Sequence, residues 1–177
     1  MKGNLKILLF FLSVLCAVGS SINLVTAQEP IKTSDSTSLM ASQTKGVKEQ
    51  ELQAFFNSKY NYWDARILAN YWGQSLPEAK ARIGRKVLWG PASTAILEQF
   101  LVDARVRALQ SVAPAEDPSS YKLYRESRYT YDDAQTLARF WGDPSPIDAK
   151  LRIERNLILG NQKIIDQALR YARSGGK

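Results

Sequence analysis

Residues 58–90 read SKYNYWDARILANYWGQSLPEAKARIGRKVLWG, and residues 127–160 read SRYTYDDAQTLARFWGDPSPIDAKLRIERNLILG. Laid over each other, Ser58, Tyr60, Tyr62, Asp64, Ala65, Leu68, Ala69, Trp72 and Gly73 recur as Ser127, Tyr129, Tyr131, Asp133, Ala134, Leu137, Ala138, Trp141 and Gly142. After one inserted residue, Ser75, Ala79, Lys80, Arg82, Ile83, Arg85 and Gly90 recur as Ser145, Ala149, Lys150, Arg152, Ile153, Arg155 and Gly160. A two-residue deletion then brings Gln99, Leu101, Ala104 and Arg105 onto Gln167, Leu169, Ala172 and Arg173. Matches of that density in one order are the signature of an internal duplication, a unit of roughly fifty residues present twice.

Each unit reads as helices. Asn61 and Thr130 fit N-caps, with Asp64 and Asp133 three residues on, as in a capping box. Gly73 and Gly142 stop that first helix, and Ser75 with Glu78 and Ser145 with Asp148 start the second, Pro146 taking its first position. The second helix runs to Gly90 or Gly160, and a third covers 93–111 or 162–173. Short helices are expected near 47–57 and 120–127. No stretch alternates as a strand would. The predicted fold is all-α, two tandem copies of a three-to-four-helix unit packed as one compact helical body. The copies occupy 47–112 and 120–177, joined by a Pro-containing linker at 113–119.

Outside the repeat, Lys2 and Lys6 precede an uncharged apolar run, Ile7 to Val18, followed by Val25-Thr26-Ala27. This is the pattern of a secretory signal peptide at 1–27, with an uncleaved membrane anchor as the alternative. Residues 28–46, rich in Ser and Thr, are expected to be a disordered spacer. The single cysteine, Cys16, lies in the apolar run, so the exported chain has none, and no Asn-x-Ser/Thr sequon follows residue 27. Together these favour a bacterial periplasmic or secreted protein. The formal charge of +7 falls to +5 when Lys2 and Lys6 leave with residues 1–27.

With no histidine in the chain and no cysteine after residue 16, Ser-His-Asp and Cys-His catalysis, ordinary zinc sites and haem ligation are excluded. No cofactor or metal is expected, and the acidic spacing fits no EF-hand loop. The sequence points to a binding module. Its partner would be an anionic envelope polymer, a lipid surface or a protein, with nucleic acid disfavoured by export. The alternatives are a small carboxylate-dependent hydrolase, for which Glu126, Asp132 and Asp143 lack a capping role, and a structural envelope protein without a discrete ligand.

Residues kept in both copies serve folding first. Tyr62, Ala65, Leu68, Ala69 and Trp72 fall on one helical face and read as core, as do their counterparts. Lys80 and Lys150 lie towards the apolar side of their helix and need a partner, for which Asp64 and Asp133 are the candidates. Binding is better sought among Arg82, Arg85, Arg152 and Arg155, and where the copies differ. Trp63 and Ile67 replace Asp132 and Thr136 on the side away from the core stripe, and Trp89 replaces Leu159 beside Arg82 and Arg85. Two accounts fit Trp63, Ile67 and Trp89: an apolar surface for a partner, or the interface between the copies.

Overall fold

The computed structural model describes residues 34–112 and 120–175, with side chains from residue 42 onward. The signal pattern at 1–27, residues 28–33 of the spacer and the linker at 113–119 lie outside the described residues. Among those described, eight helices and no strand occur: α1 Ser34–Phe56, α2 Tyr62–Trp72, α3 Leu76–Leu88, α4 Pro91–Ser111, α5 Lys122–Glu126, α6 Tyr131–Trp141, α7 Pro146–Ile158 and α8 Gln162–Arg173.

The helix boundaries follow local chemistry. Asn61 Oδ1 accepts from the backbone N–H of Trp63 (2.8 Å) and Asp64 (3.1 Å), while Asp64 Oδ2 accepts from Asn61 N–H at 2.9 Å. Thr130 and Asp133 repeat the exchange at the start of α6, and Ser75 with Glu78 at the start of α3. At α7, Ser145 accepts from Asp148 N–H, but the carboxylate turns to the Ser145 hydroxyl at 2.7 Å. Gly73 and Gly142 close α2 and α6 in the left-handed region, at φ 65° and 71°, where a side chain would be strained.

Two expectations need correction. Residues 34–46, read as a disordered spacer, are helical and form the first half of α1. Their polarity was a fair sign of exposure, since residues 42–50 are all exposed, but not of coil. The end of α1 is nucleated by packing on α3, and each residue added backwards gains a hydrogen bond without a new nucleus. Tyr62 and Tyr131, read as core, are exposed. They stand in the first turn of their helices, where the core stripe has already swung away.

One apolar cluster runs through both halves of the chain. Leu68, Ile83 and Leu97 are fully buried in the first half, and Leu137, Ile153 and Ile165 in the second. Alanines 65, 79, 134 and 149 are fully buried too, and their small side chains let neighbouring helices close in. The halves meet where α7 packs on α2 and α4. Across that seam Trp63 Nε1 donates to Gln162 Oε1 at 2.8 Å, and Asn61 Nδ2 to the Gly160 carbonyl at 3.1 Å. Arg66 grips Glu126 through two hydrogen bonds of 2.6 and 2.5 Å.

The two halves diverge at one buried position of α3 and α7. In α3 it is Gly84, and α1 crosses there so closely that a Cβ would lie 1.7 Å from the Glu51 carbonyl oxygen. In α7 the position is Glu154, buried, whose carboxylate accepts from the backbone N–H of Leu123 (3.1 Å) and Tyr124 (2.6 Å). Those N–H groups belong to the first turn of α5, which otherwise lacks a side-chain cap. A long helix passes over α3, a short one starts over α7, and each arrangement suits only its own residue.

Candidate functional site

The length of α1 provides one wall of a cleft in the first half. It lies between α1 and α3 and has a volume of about 600 Å³. From α3 come Arg82, Arg85, Lys86 and Trp89, one helical face at i, i+3, i+4 and i+7. From α1 come Thr44, Val47, Lys48 and Glu51 at the same spacing. Gln74 and Glu78 close one end.

The charges within the cleft are unequal. Arg85 is engaged by Glu51, Nε to Oε1 at 2.6 Å and Nη2 to Oε2 at 3.2 Å. Hydrogen bonding to that carboxylate holds the guanidinium above its ordinary pKa. Glu78 is committed to Ser75, whose hydroxyl and backbone N–H, aided by the charge of Lys48, hold its carboxyl below the usual range. Arg82 lies flat on Trp72, 4.2 Å from ring centroid to guanidinium carbon, and reaches Gln74 at 3.5 Å. Lys86 stands 5.6 Å above the Trp89 ring, which is 64% exposed. Four cationic side chains, Lys48, Arg82, Arg85 and Lys86, thus face two carboxylates, Glu51 and Glu78, and the cleft keeps a positive surplus.

The remaining predicted site residues lie elsewhere. Trp63 and Ile67 are each only 4% exposed, and Trp63 bonds across the seam to Gln162. The apolar surface pair is therefore corrected: both side chains are buried, Trp63 at the seam, while Trp89 alone of the three faces solvent. Helix α2 is covered on two sides, so its second apolar stripe is as buried as the first. Arg152 stacks on Trp141 at 4.6 Å and pairs with Asp143 at 3.4 Å. Arg155 is exposed on α7, and the place of Glu51, its counterpart's partner, falls on Ser120, before α5 begins.

Lys80 and Lys150 do not pair with Asp64 and Asp133. The Lys80 ammonium lies 5.7, 5.6 and 5.4 Å from the ring centroids of Phe55, Phe56 and Tyr62, and Lys150 lies 5.4 and 5.0 Å from those of Tyr124 and Tyr131. The aspartates instead take Arg105 (2.6 Å) and Arg173 (2.5 Å) from the third helix of each half. Beside the second pair is a smaller hollow of about 350 Å³, lined by Arg128, Tyr129, Asp133, Asp166 and Arg173 among others.

For a hydrolase, the available carboxylates are poorly disposed. Asp64, Glu78, Asp133 and Asp148 cap helices, Glu126 holds Arg66 and Asp143 holds Arg152. Asp132 stands exposed on α6. Among the described residues no three acidic, Cys or His side chains gather as a metal site would require. No described helix is long and apolar enough to cross a membrane.

Sequence reasoning missed the α1 wall of the cleft. The signal was present: Thr44, Val47, Lys48 and Glu51 share a helical face, but they fall across the boundary drawn at residue 46. No family model, curated protein or solved structure matches the chain.

Proposed function

We propose that the chain is an exported module of two copies of one helical unit, and that it works by binding an anionic ligand in the cleft between α1 and α3. The observation that carries this is the surplus of cationic groups there, held on a rigid helix beside an exposed tryptophan. Tryptophan and arginine together supply flat apolar contact and fixed donors, the pairing found where binding energy concentrates. The copy reading is supported by interactions that recur across the halves: Asp64 with Arg105 and Asp133 with Arg173, Lys80 and Lys150 over aromatic rings, Arg82 on Trp72 and Arg152 on Trp141. Export is supported by the pattern of residues 1–27 and the absence of cysteine after it. On this reading one copy keeps the scaffold and the other, through the longer α1, gains the site.

Titration of the purified protein with linear polyphosphate, followed by tryptophan fluorescence at ~20 and ~200 mM salt, tests the proposal. Binding is expected to weaken with salt. Lys48→Ala with Lys86→Ala should weaken it about tenfold, ~1.4 kcal/mol, and flatten the salt dependence. No binding by the unaltered protein, or equal binding by the double variant, would defeat this reading.

A further inference from the structure

We propose that the protein assembles head to tail, the Leu88–Trp89–Gly90 edge of one copy seating on the Asp133–Arg173 face of the next. The contact already exists once within the chain. At the end of α7, which packs on α2 and α4, Gly160 meets Asn61 and Asp64 at the start of α2 and Arg105 of α4, while Leu159 stays 39% exposed. Gly160 approaches so closely that a Cβ there would lie 2.9 Å from both Asp64 Oδ1 and Arg105 Nη2, and its carbonyl accepts from Asn61. Ile158 is left 2% exposed.

Each side of this contact occurs a second time, the edge exposed and the face with Arg173 exposed over a buried Asp133. The end of α3 carries the same backbone turn as the end of α7: Trp89 at φ −75°, ψ −4° against Leu159 at −78°, −4°, and Gly90 at φ 90° against Gly160 at 77°. Leu88, at the position of Ile158, is 58% exposed, and a Cβ on Gly90 would have nothing within 4 Å. The receiving face recurs at the start of α6. Thr130 stands for Asn61, and Asp133 holds Arg173 at 2.5 Å as Asp64 holds Arg105 at 2.6 Å. There the ion pair opens on the 350 Å³ hollow, whereas the first pair is covered by Gly160.

The occupant is a second copy of this chain because one molecule carries both the edge and the face that answer each other in the internal contact, and among the described residues neither meets its counterpart. Where the faces differ, each side gains a charge of opposite sign, the receiving one on a face that also carries Arg128 and Arg170. Asp132 stands exposed in the place of Trp63, and the edge carries Lys86 where α7 has Asn156. The intermolecular contact is accordingly more polar than the internal one, weaker and sensitive to salt. Joining unlike surfaces, it does not close on itself at two copies. The edge shares Lys86 and Trp89 with the anion cleft, whereas Asp132 lies outside it, so Asp132→Arg tests assembly alone and should leave polyphosphate binding unchanged.

Sedimentation velocity of the purified protein across a hundredfold concentration range tests the assembly. The average mass should rise without a dimer plateau and fall when salt is raised. Trp89→Glu blocks the edge and Asp132→Arg blocks the face, and each exposed substitution should leave the protein monomeric. Mixed together, the two variants should form a one-to-one dimer and nothing larger, since each retains the surface the other lost. A protein monomeric throughout would overturn the proposal and leave the edge to a partner of another sequence. Self-association of Asp132→Arg alone, or no recovery on mixing, would overturn it as well.

Discussion

A single methyl group should separate α1 from the rest of the protein. In Gly84→Ala the new Cβ would sit 1.7 Å from the Glu51 oxygen, 2.7 Å from its carbonyl carbon and 3.0 Å from Phe55 N, all backbone atoms that cannot swing aside. Ordinary contact begins at 3.4 Å, so α1 must retreat by roughly 1.7 Å, and a gap of even ~1 Å forfeits up to half of a dispersion well. Phe55, 3% exposed, loses its packing, and the 2.6 Å bond from Arg85 to Glu51 is stretched. Overpacking of this kind costs about 3 kcal/mol at the upper end of its usual range, and alanine returns about 1 through helix propensity. The net loss of ~2 kcal/mol corresponds to a Tm lower by roughly 5–10 °C in a domain of this size. Thermal and urea unfolding followed by circular dichroism read it directly. Gly46→Ala is the control: it lies in α1, the helix that Gly84→Ala displaces, with nothing within 4 Å of its Cβ, so propensity acts alone and stability should rise by about 0.5–1 kcal/mol. If Gly84→Ala were as stable as the unaltered protein, or more so, α1 would not cross α3 at that point and the cleft beside it would lose its wall.

Two further outcomes follow from the seam and the ion pairs. Trp63→Asp with Ile67→Thr, which copies the second half, should cost about 4 kcal/mol or more in denaturant unfolding, because it removes a buried ring and its bond to Gln162 and buries a carboxylate; a loss below ~1 kcal/mol would mean the halves do not pack through these residues. The hydrogen bond from Arg66 holds Glu126 below the ordinary carboxyl value of 4.5, so the pair stabilises the fold above that pH and is lost as pH falls through the lower folded value. Glu154 runs the other way. Burial raises its carboxyl despite the bonds from Tyr124 and Leu123, so the folded state favours its protonated form and stability declines as pH rises from 4.5 through the raised value. Urea midpoints measured from pH 3 to 7 should show a shallower acid limb in Glu126→Gln and a shallower decline on the neutral side in Glu154→Gln; unchanged slopes would refute both assignments.

The helix ends were legible because their causes are local. Asn61 with Asp64, Ser75 with Glu78, and the glycines at 73 and 142 act within a few residues of themselves, and they lie where the sequence puts them. Trp63 was not legible. Periodicity separates the two faces of α2 but cannot say that both are covered, one by the first half and one by the second. Lys80 declared its need for a partner by its place on the apolar side. Its actual surroundings, three rings from α1 and α2, depend on Tyr62 leaving the core stripe at the helix start, and that is a matter of tertiary position. The cleft failed to show for a compositional reason: a run of Ser, Thr and Gln reads as coil until something downstream nucleates it.

The pairing of Gly84 with α1 and of Glu154 with α5 has a consequence for heredity. Two similar stretches in one gene invite recombination, which copies one onto the other. Here such copying is blocked in both directions. Residues 146–158 placed at 76–88 would drive a carboxylate into the α1 backbone, and the reverse exchange would leave the N–H groups of Leu123 and Tyr124 without their acceptor. A chimera with two identical second helices should not fold, so one buried position keeps the halves distinct however alike their remaining residues become.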